Sequence, residues 1–185
     1  MQDDVYMIVG DGWREAAKPQ LIIQDKTMKT KEKPDFFTVG KVKYRAELIP
    51  PVLIIARYFV TEQEAIEKLE AEVSAIEQAV EEMAEEHGGN EGLLAEATND
   101  KEKLTMISAA ARLKEIKDDA DAADERKALN DYFDLVEKEA ATSAKLREAQ
   151  EALMTKVSVR YRNLTEEEIK TLVVDDKWLT RGQVG

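Results

Sequence analysis

The stretch "IEKLEAEVSAIEQAVEEM", residues 66 to 83, decides how the rest of the chain folds. Its apolar side chains recur at alternating intervals of 3 and 4 residues, the heptad spacing of a helix that packs along a narrow seam. The register extends backwards through Phe59 to Ile55, and "HGGN" after Glu86 supplies a C-terminal stop. One unbroken helix is therefore predicted from about residue 51 to Glu86. Its seam residues are Ile66, Leu69, Val73, Ile76, Val80 and Met83.

A helix with one apolar stripe needs a partner that covers the stripe, and residues 124 to 161 provide it. This second long helix has a broader stripe that includes Leu146 and Leu153, and a shorter helix is predicted at 103 to 117. The predicted fold class is mainly α: a long antiparallel, coiled-coil-like helical hairpin with a shorter helix at its tip and a small antiparallel β piece at the N-terminus.

The β piece is predicted from three short β-prone stretches at residues 5 to 9, 21 to 24 and 41 to 48. They can pair antiparallel, but three strands with so few apolar residues are marginal alone. Near the other end, Thr165 and Glu168 form a capping box that opens a short helix. The predicted domains are a β appendix at 1 to 49, the hairpin at 50 to 162, and a short helix and tail at 163 to 185.

The most apolar stretch is "LIPPVLIIARYFV", residues 48 to 60. Proline is favoured at the first position of a helix, so Pro50-Pro51 predicts a helix start. The root of this helix is apolar on nearly every side, which predicts burial on every side in an intact parent protein and exposure of part of the root in this chain alone. Nothing approaches 18 uninterrupted apolar residues, and the first residues are acidic rather than basic and apolar. We therefore expect no membrane contact and a cytoplasmic location.

The charge of the chain is concentrated in one segment. The net charge is −12, and residues 62 to 102 hold 14 acidic and 2 basic side chains. Such a surface repels a phosphate backbone, which binds through Lys and Arg. A basic cluster lies in the lysine-rich loop at 25 to 35 and the stretch that follows. It is read first as a solvated loop and strand face, and second as a source of DNA-phosphate contacts. The lysines in question are Lys29, Lys31, Lys33, Lys41 and Lys43.

No residue set with the chemistry of a catalytic, cofactor or metal site stands out. There is no cysteine and one histidine, His87, which the sequence places at a helix end. The acids at residues 81 to 86 lack the Glu-x-x-His partner of carboxylate metal sites and are read as a solvated face. "VGDGW", residues 9 to 13, lacks the Lys-Ser/Thr pair of a phosphate loop and is read as a turn.

Four stretches resemble one known family: "QDDVYMIVGDGW" (2 to 13), "GKVKYRAELIPPVLIIARYF" (40 to 59), "EEHGGNEGLL" (85 to 94) and "LTEEEIKTLVVDDKW" (164 to 178). They are similar to the C-terminal region of the modification subunit of type I restriction-modification systems. The resemblance implies a parent that transfers a methyl group from S-adenosylmethionine to adenine N6 in DNA. The family's Asn-Pro-Pro-Phe/Tyr motif is absent here, since the double proline reads Ile49-Pro50-Pro51-Val52.

The resemblance therefore implies a non-catalytic C-terminal fragment that needs no cofactor of its own. It implies that the helical hairpin binds the DNA specificity subunit and, through it, the restriction subunit and a second modification subunit, with DNA contacted by the whole complex. The heptad seam, Leu146, Leu153 and Trp178 are the predicted partner contacts. Two alternatives stay open: a self-associating coiled coil whose 66 to 83 seam pairs with itself, and a chain that retains cofactor binding.

Overall fold

Two long helices dominate the computed structural model, which describes residues 1–23, 33–89 and 91–180. They pack together, and a small three-stranded antiparallel sheet lies near the N-terminus, so the predicted fold class is confirmed. In chain order the elements are α1 Gln2–Asp11, α2 Trp13–Ala16, β1 Gln20–Leu21, β2 Phe36–Val39, β3 Val42–Arg45, α3 Pro51–Tyr58, α4 Val60–Gly88, α5 Met106–Glu115, α6 Ala123–Arg162, α7 Glu166–Thr171 and a π-helical segment Leu172–Leu179, with 3₁₀ turns at Ala95–Ala97 and Ala120–Ala122.

The chain divides into two compact units, each built from parts of both long helices. The sheet unit comprises Met1–Ile66 and Glu148–Gly185, and the helical unit comprises Glu67–Arg147. These bounds differ from the three domains expected from the sequence, because the sheet packs with the ends of the long helices and not by itself.

The helical unit has its own apolar core. Val80 and Met83 of α4 pack against residues of α6, α5 and the segment between α4 and α5. Helix α5 begins at a capping box in which Thr105 Oγ1 accepts a hydrogen bond from the Ser108 amide. The predicted short helix between the long ones is thereby confirmed. The buried members of the core are Leu94, Ala97, Ala109, Ile116, Ala128, Leu129 and Tyr132.

The sheet has the strand order β1-β3-β2, and all pairs are antiparallel. Strands β2 and β3 form a hairpin in which Val39 faces Val42 across a two-residue turn. Gly40 opens this turn at a φ of 61°, a conformation that glycine adopts without the steric penalty of a Cβ. Strand β2 was not expected from the sequence, although "FFTV" followed by glycine is a local hairpin signal.

The prediction of a strand at residues 5 to 9 is wrong, because these residues lie in α1. Asp3 and Asp4 occupy the first turn of α1, where a negative charge interacts favourably with the helix dipole. Gly12, at a φ of 81°, ends α1 and precedes α2. The turn predicted for residues 9 to 13 is therefore confirmed only at Gly12. The apolar run 5 to 9 has no period, and tertiary contacts of α1 override its β propensity.

The prediction of one unbroken helix from residue 51 to 86 is also wrong. The helix begins at Pro51 as expected, but Phe59, at φ −134° and ψ 36°, separates α3 from α4. Helix α3 packs on the π-helical segment, where Arg57 forms two hydrogen bonds with Asp176. That packing accounts for the break, since two helices with different packing partners need not share an axis. Ile54 is fully buried, whereas Val52 is 59% exposed, so part of the root is exposed, as predicted for this chain alone.

The predicted capping box at the start of α7 is confirmed. Thr165 Oγ1 accepts a hydrogen bond from the Glu168 amide, and the Glu168 carboxylate accepts one from the Thr165 amide at 2.8 Å. The segment that follows, Leu172–Leu179, is π-helical and buries Leu172 and Val173. No periodicity in the sequence pointed to this π-helix.

Candidate partner-binding surface

The heptad seam lies inside the fold for most of its length. Ile66 and Ile76 of α4 and Leu153 of α6 are buried by the chain itself. Val80 and Met83 cover the core of the helical unit. The other predicted contacts are half-buried, namely Leu69, Val73, Leu146 and Trp178. A seam that its own chain fills offers little free surface to a partner.

The opposite side of α4 in the helical unit carries an exposed row of glutamates, which we call the acidic face. Glu77, Glu81 and Glu85 follow one another at intervals of four residues, and Glu82 and Glu86 lie beside them. In the part of the chain that the structure describes, none of the five is ion-paired with a lysine or arginine. Glu82 accepts a hydrogen bond from Gln78 at 2.7 Å. The acidic face is therefore a concentration of negative charge that forms no ion pair with a lysine or arginine of the described residues.

The sheet unit, in contrast, holds a buried ion pair that sequence reasoning missed. Lys177 Nζ, on the π-helical segment, lies 2.8 Å from Asp4 Oδ1 and also donates to the carbonyl oxygens of Glu47 and Leu48. Trp178 Nε1 donates to the other oxygen of Asp4 at 2.9 Å. Burial acts to raise the pKa of Asp4, but the hydrogen bonds from Lys177 and Trp178 outweigh it and hold that pKa below its ordinary value.

This cluster gives Trp178 an internal role that the sequence did not indicate. Its indole N–H is committed to Asp4. All three N–H donors of the Lys177 ammonium have acceptors, which is how a buried lysine avoids the penalty of an unpaired charge. The cluster thus joins α1, the end of the β3 segment and the π-helical segment.

Aromatic side chains form a second buried feature of the sheet unit. The ring of Phe37 stacks between those of Tyr44 and Tyr161, with ring centroids 5.4 Å and 5.5 Å away. The Tyr161 hydroxyl donates to the carbonyl oxygen of Ile49. Burial raises the pKa of Tyr161 far above its ordinary value, so the phenol stays protonated. These contacts anchor the end of α6 to the sheet and to the start of α3.

A third set of contacts fixes α6 against neighbouring helices of the same unit. The guanidinium of Arg160 lies 4.0 Å from the ring centroid of Tyr58 and donates to Glu168. Lys156 binds Glu62 at 2.8 Å. The hydrogen bond from Lys156, with the backbone N–H of the residue itself, lowers the pKa of Glu62.

The predicted basic cluster is only partly described. Lys29 and Lys31 lie outside the described residues, and so does most of the lysine-rich loop. Lys33 and Lys41 are exposed, and Lys43 is half-buried on β3. The adjacent Arg45 is ion-paired with Asp35 and Glu47. DNA contact by the lysines stays a prediction.

The residues that the sequence analysis considered for catalysis or metal binding do not come together in one site. His87 lies in the last turn of α4, and its carbonyl oxygen accepts a hydrogen bond from Leu94. Within residues 1–23, 33–89 and 91–180, no group of three or more histidine, cysteine, aspartate or glutamate side chains could hold a metal ion. No helix in the same ranges is both long and apolar enough to cross a bilayer.

Comparison with known proteins returned no match: no family model, no curated protein and no solved structure resembles this chain closely enough to be counted. The resemblance to the type I modification subunit therefore stays a prediction from the sequence.

Proposed function

We propose that this chain is a helical assembly module that binds a partner protein through the acidic face of α4. In this proposal it is the non-catalytic C-terminal region of a type I modification subunit, and the partner is the DNA specificity subunit. Two supports are independent of each other: the four stretches that resemble the family, and the charge distribution on α4. The acidic face is the observation that carries the proposal.

The acidic face is unfavourable for the isolated helix. Like charges four residues apart destabilise a helix by about 0.2–0.5 kcal/mol per pair, and Glu77, Glu81, Glu85 form two such pairs in succession. In the described part of the chain no lysine or arginine forms an ion pair with these glutamates, and Lys103 lines a cavity together with Glu81 and Glu85 without pairing with either. A basic surface of a partner would remove this repulsion and gain favourable charge pairs at the same time.

The chemistry of the acidic face favours a protein over DNA as the direct partner. A nucleic acid presents phosphates, which the carboxylates repel. Because the heptad seam is covered by the chain itself, the partner packs on the outside of α4 and not in the seam. A basic helix of the specificity subunit fits both conditions.

The parent complex supplies the chemistry in this proposal. Methyl transfer from S-adenosylmethionine to adenine N6 belongs to the catalytic domain of the modification subunit. The present chain contributes by holding the specificity subunit, which in turn gathers the restriction subunit and a second modification subunit on DNA. The activity that depends on this chain is thus assembly.

Co-expression with the cognate specificity subunit, followed by gel filtration, tests the proposal. The two proteins are expected to co-elute at low ionic strength and to separate as salt is raised, because salt screens exposed charge pairs. The double variant Glu81→Lys with Glu85→Lys is expected to lose co-elution. A matched control, Asp134→Lys with Glu137→Lys on the exposed side of α6, is expected to retain it.

Failure of the unmodified chain to co-elute, or equal binding by both double variants, would contradict the proposal. Self-association is the rival outcome, and light scattering distinguishes it. A coiled-coil dimer through residues 66 to 83 would have to open the seam that buries Ile66 and Ile76, so we expect the mass of a monomer. A stable dimer would favour the rival.

A further inference from the structure

The sheet unit contains a cavity of about 550 Å³ at the point where three parts of the chain meet. Its lining comes from α2 and the residues after it, from the stacked aromatic rings, and from the end of α6 with the start of α7. Ala17 and Ile169 are buried at its base. Volumes of about 300–1,000 Å³ are usual for cavities that enclose a small organic ligand.

One wall of the cavity is aromatic. Phe37, Tyr44 and Tyr161 all contribute to the lining, and their rings form a continuous stack. The hydroxyl of Tyr161 is engaged by the carbonyl oxygen of Ile49, so this residue offers the cavity its ring and no free polar atom. Such a wall favours a planar, apolar group on the ligand, because aromatic rings associate in stacked or edge-to-face arrangements.

The rim of the cavity is cationic. Arg14, Lys18 and Arg162 line it together with a single acid, Glu15, and that acid is already ion-paired with Lys18. Arg162 donates to the neutral hydroxyl of Ser158 at 3.3 Å. Arg14 forms no hydrogen bond or ion pair within the described part of the chain. Neither guanidinium forms an ion pair in the described part of the chain. The nearby Glu166, whose pKa is lowered by Lys170 and to a smaller extent by Arg14, is itself ion-paired with Lys170.

We propose that this cavity binds a small organic anion that consists of a planar aromatic ring and one carboxylate or phosphate group. The ring lies against Tyr44, because both faces of the Phe37 ring are covered by the two tyrosines. The anionic group is bound by Arg14 and Arg162. Guanidinium groups suit both kinds of anion, because their N–H donors match two oxygens at once. This binding activity does not depend on the assembly role proposed above, since the cavity belongs to the sheet unit and the acidic face to the helical unit.

Calorimetric titration of the full chain with matched probes tests the proposal. The probe 1-naphthyl phosphate carries both features, 1-naphthol carries only the ring, and inorganic phosphate carries only the anion. We expect 1-naphthyl phosphate to bind at least about tenfold more tightly than either control, which corresponds to the loss of one charge-assisted contact. A parallel titration with 1-naphthoate tells whether the rim prefers a carboxylate or a phosphate. The proposal is overturned if neither anionic naphthalene binds more tightly than 1-naphthol.

Substitutions of the lining residues test whether the probes bind in this cavity. The exposed Arg14→Gln change and the double change Arg14→Gln with Arg162→Gln are each expected to weaken 1-naphthyl phosphate and to leave 1-naphthol unchanged. Tyr44→Leu is expected to weaken both. The control Arg147→Gln lies on α6 in the helical unit and is expected to have no effect. Circular dichroism checks that each variant is folded, and the single Arg14 variant serves if the double one is not. Binding that survives every cavity change would overturn the assignment.

Discussion

The sheet unit and the helical unit use charged residues in opposite ways. The sheet unit contains ion pairs that are wholly or partly buried, namely Lys177 with Asp4 and Arg57 with Asp176. The helical unit pairs Arg112 with Glu125, whereas no lysine or arginine among the described residues pairs with the acidic face of α4. Paired charges fix the positions of chain segments, whereas unpaired ones remain available to another molecule. Charged residues therefore stabilise the internal structure of the sheet unit, and in the function that we propose those of the acidic face bind a partner.

The largest expected effect comes from breaking the buried ion pair of the sheet unit. Asp4→Asn leaves the Lys177 ammonium buried without its counter-charge, and removal of one partner of such a pair costs about 3–5 kcal/mol. Both tryptophans, Trp13 and Trp178, belong to this unit, so urea unfolding followed by tryptophan fluorescence measures the loss.

Two further variants make that result decisive. The exposed Asp175→Asn, on the same segment, is expected to change stability by less than about 0.5 kcal/mol. The double variant Asp4→Leu with Lys177→Met removes both charges and is expected to recover much of the lost stability. An Asp4→Asn protein as stable as the unmodified chain would show that the ion pair does not fix the sheet unit.

In the helical unit, an apolar residue and not a charge is expected to dominate stability. Leu129 is fully buried in the core, and Leu129→Ala should lower the free energy of unfolding by about 2–5 kcal/mol. Ile107, which is 85% exposed on α5, provides the contrast, because Ile107→Ala should change stability by less than about 0.5 kcal/mol. Thermal unfolding followed by far-UV circular dichroism compares the two. Equal effects would mean that the core is not organised around Leu129.

The next effect in size is a dependence of stability on pH, which the ion pair of Asp4 should give to the sheet unit. Because the pKa of Asp4 is lower in the folded chain than in the unfolded chain, its contribution to stability is present at neutral pH and is lost as the pH falls through the folded-state pKa. The stability difference between the unmodified chain and Asp4→Asn, measured by urea unfolding at a series of pH values, should therefore shrink on acidification. A difference that is independent of pH would argue against this linkage.

The smallest expected effect concerns the acidic face. Glu81→Lys replaces two repulsive contacts, with Glu77 and Glu85, by two attractive ones, and should raise stability by about 0.5–1 kcal/mol at low salt. Glu72→Lys is the matched control, since it removes an attractive neighbour of Lys68 four residues away and should lower stability slightly. Thermal unfolding at low and high salt measures both changes. Shifts of the same sign for the two variants would refute an electrostatic origin.

Local periodicity explains why α4 and α6 could be predicted. A heptad pattern records which side of a helix is buried, and the burial of Ile66 and Ile76 follows it. The acidic face was also visible in the sequence, although only as a solvated surface. What the pattern could not tell was whether the seam is covered by the chain itself, because that depends on the register between two helices that are far apart in sequence.

Long-range contacts explain most of the errors. Asp4 and Lys177 are separated by 173 positions, and nothing in the sequence near Asp4 indicates that it will form a buried ion pair with a lysine. Residues 5 to 9 are helical in the fold that contains this contact, so β propensity alone gave the wrong result. The cavity likewise collects Arg14, Phe37 and Arg162 from three distant segments. Strand β2 is different, since its hairpin signal is local and could have been recognised.

The separation of Asp4 from Lys177 also sets an order of events on the ribosome. The helical unit is continuous in sequence, and its core residues from Leu94 to Tyr132 have all been synthesised before residue 148 is added. Asp4 precedes the helical unit in the chain, and its counter-charge Lys177 follows that unit. Since domains fold as units during synthesis, the helical unit is complete while the sheet unit still waits for Lys177. A nascent chain that stops before the π-helical segment would therefore present a folded acidic face while the sheet unit is still incomplete.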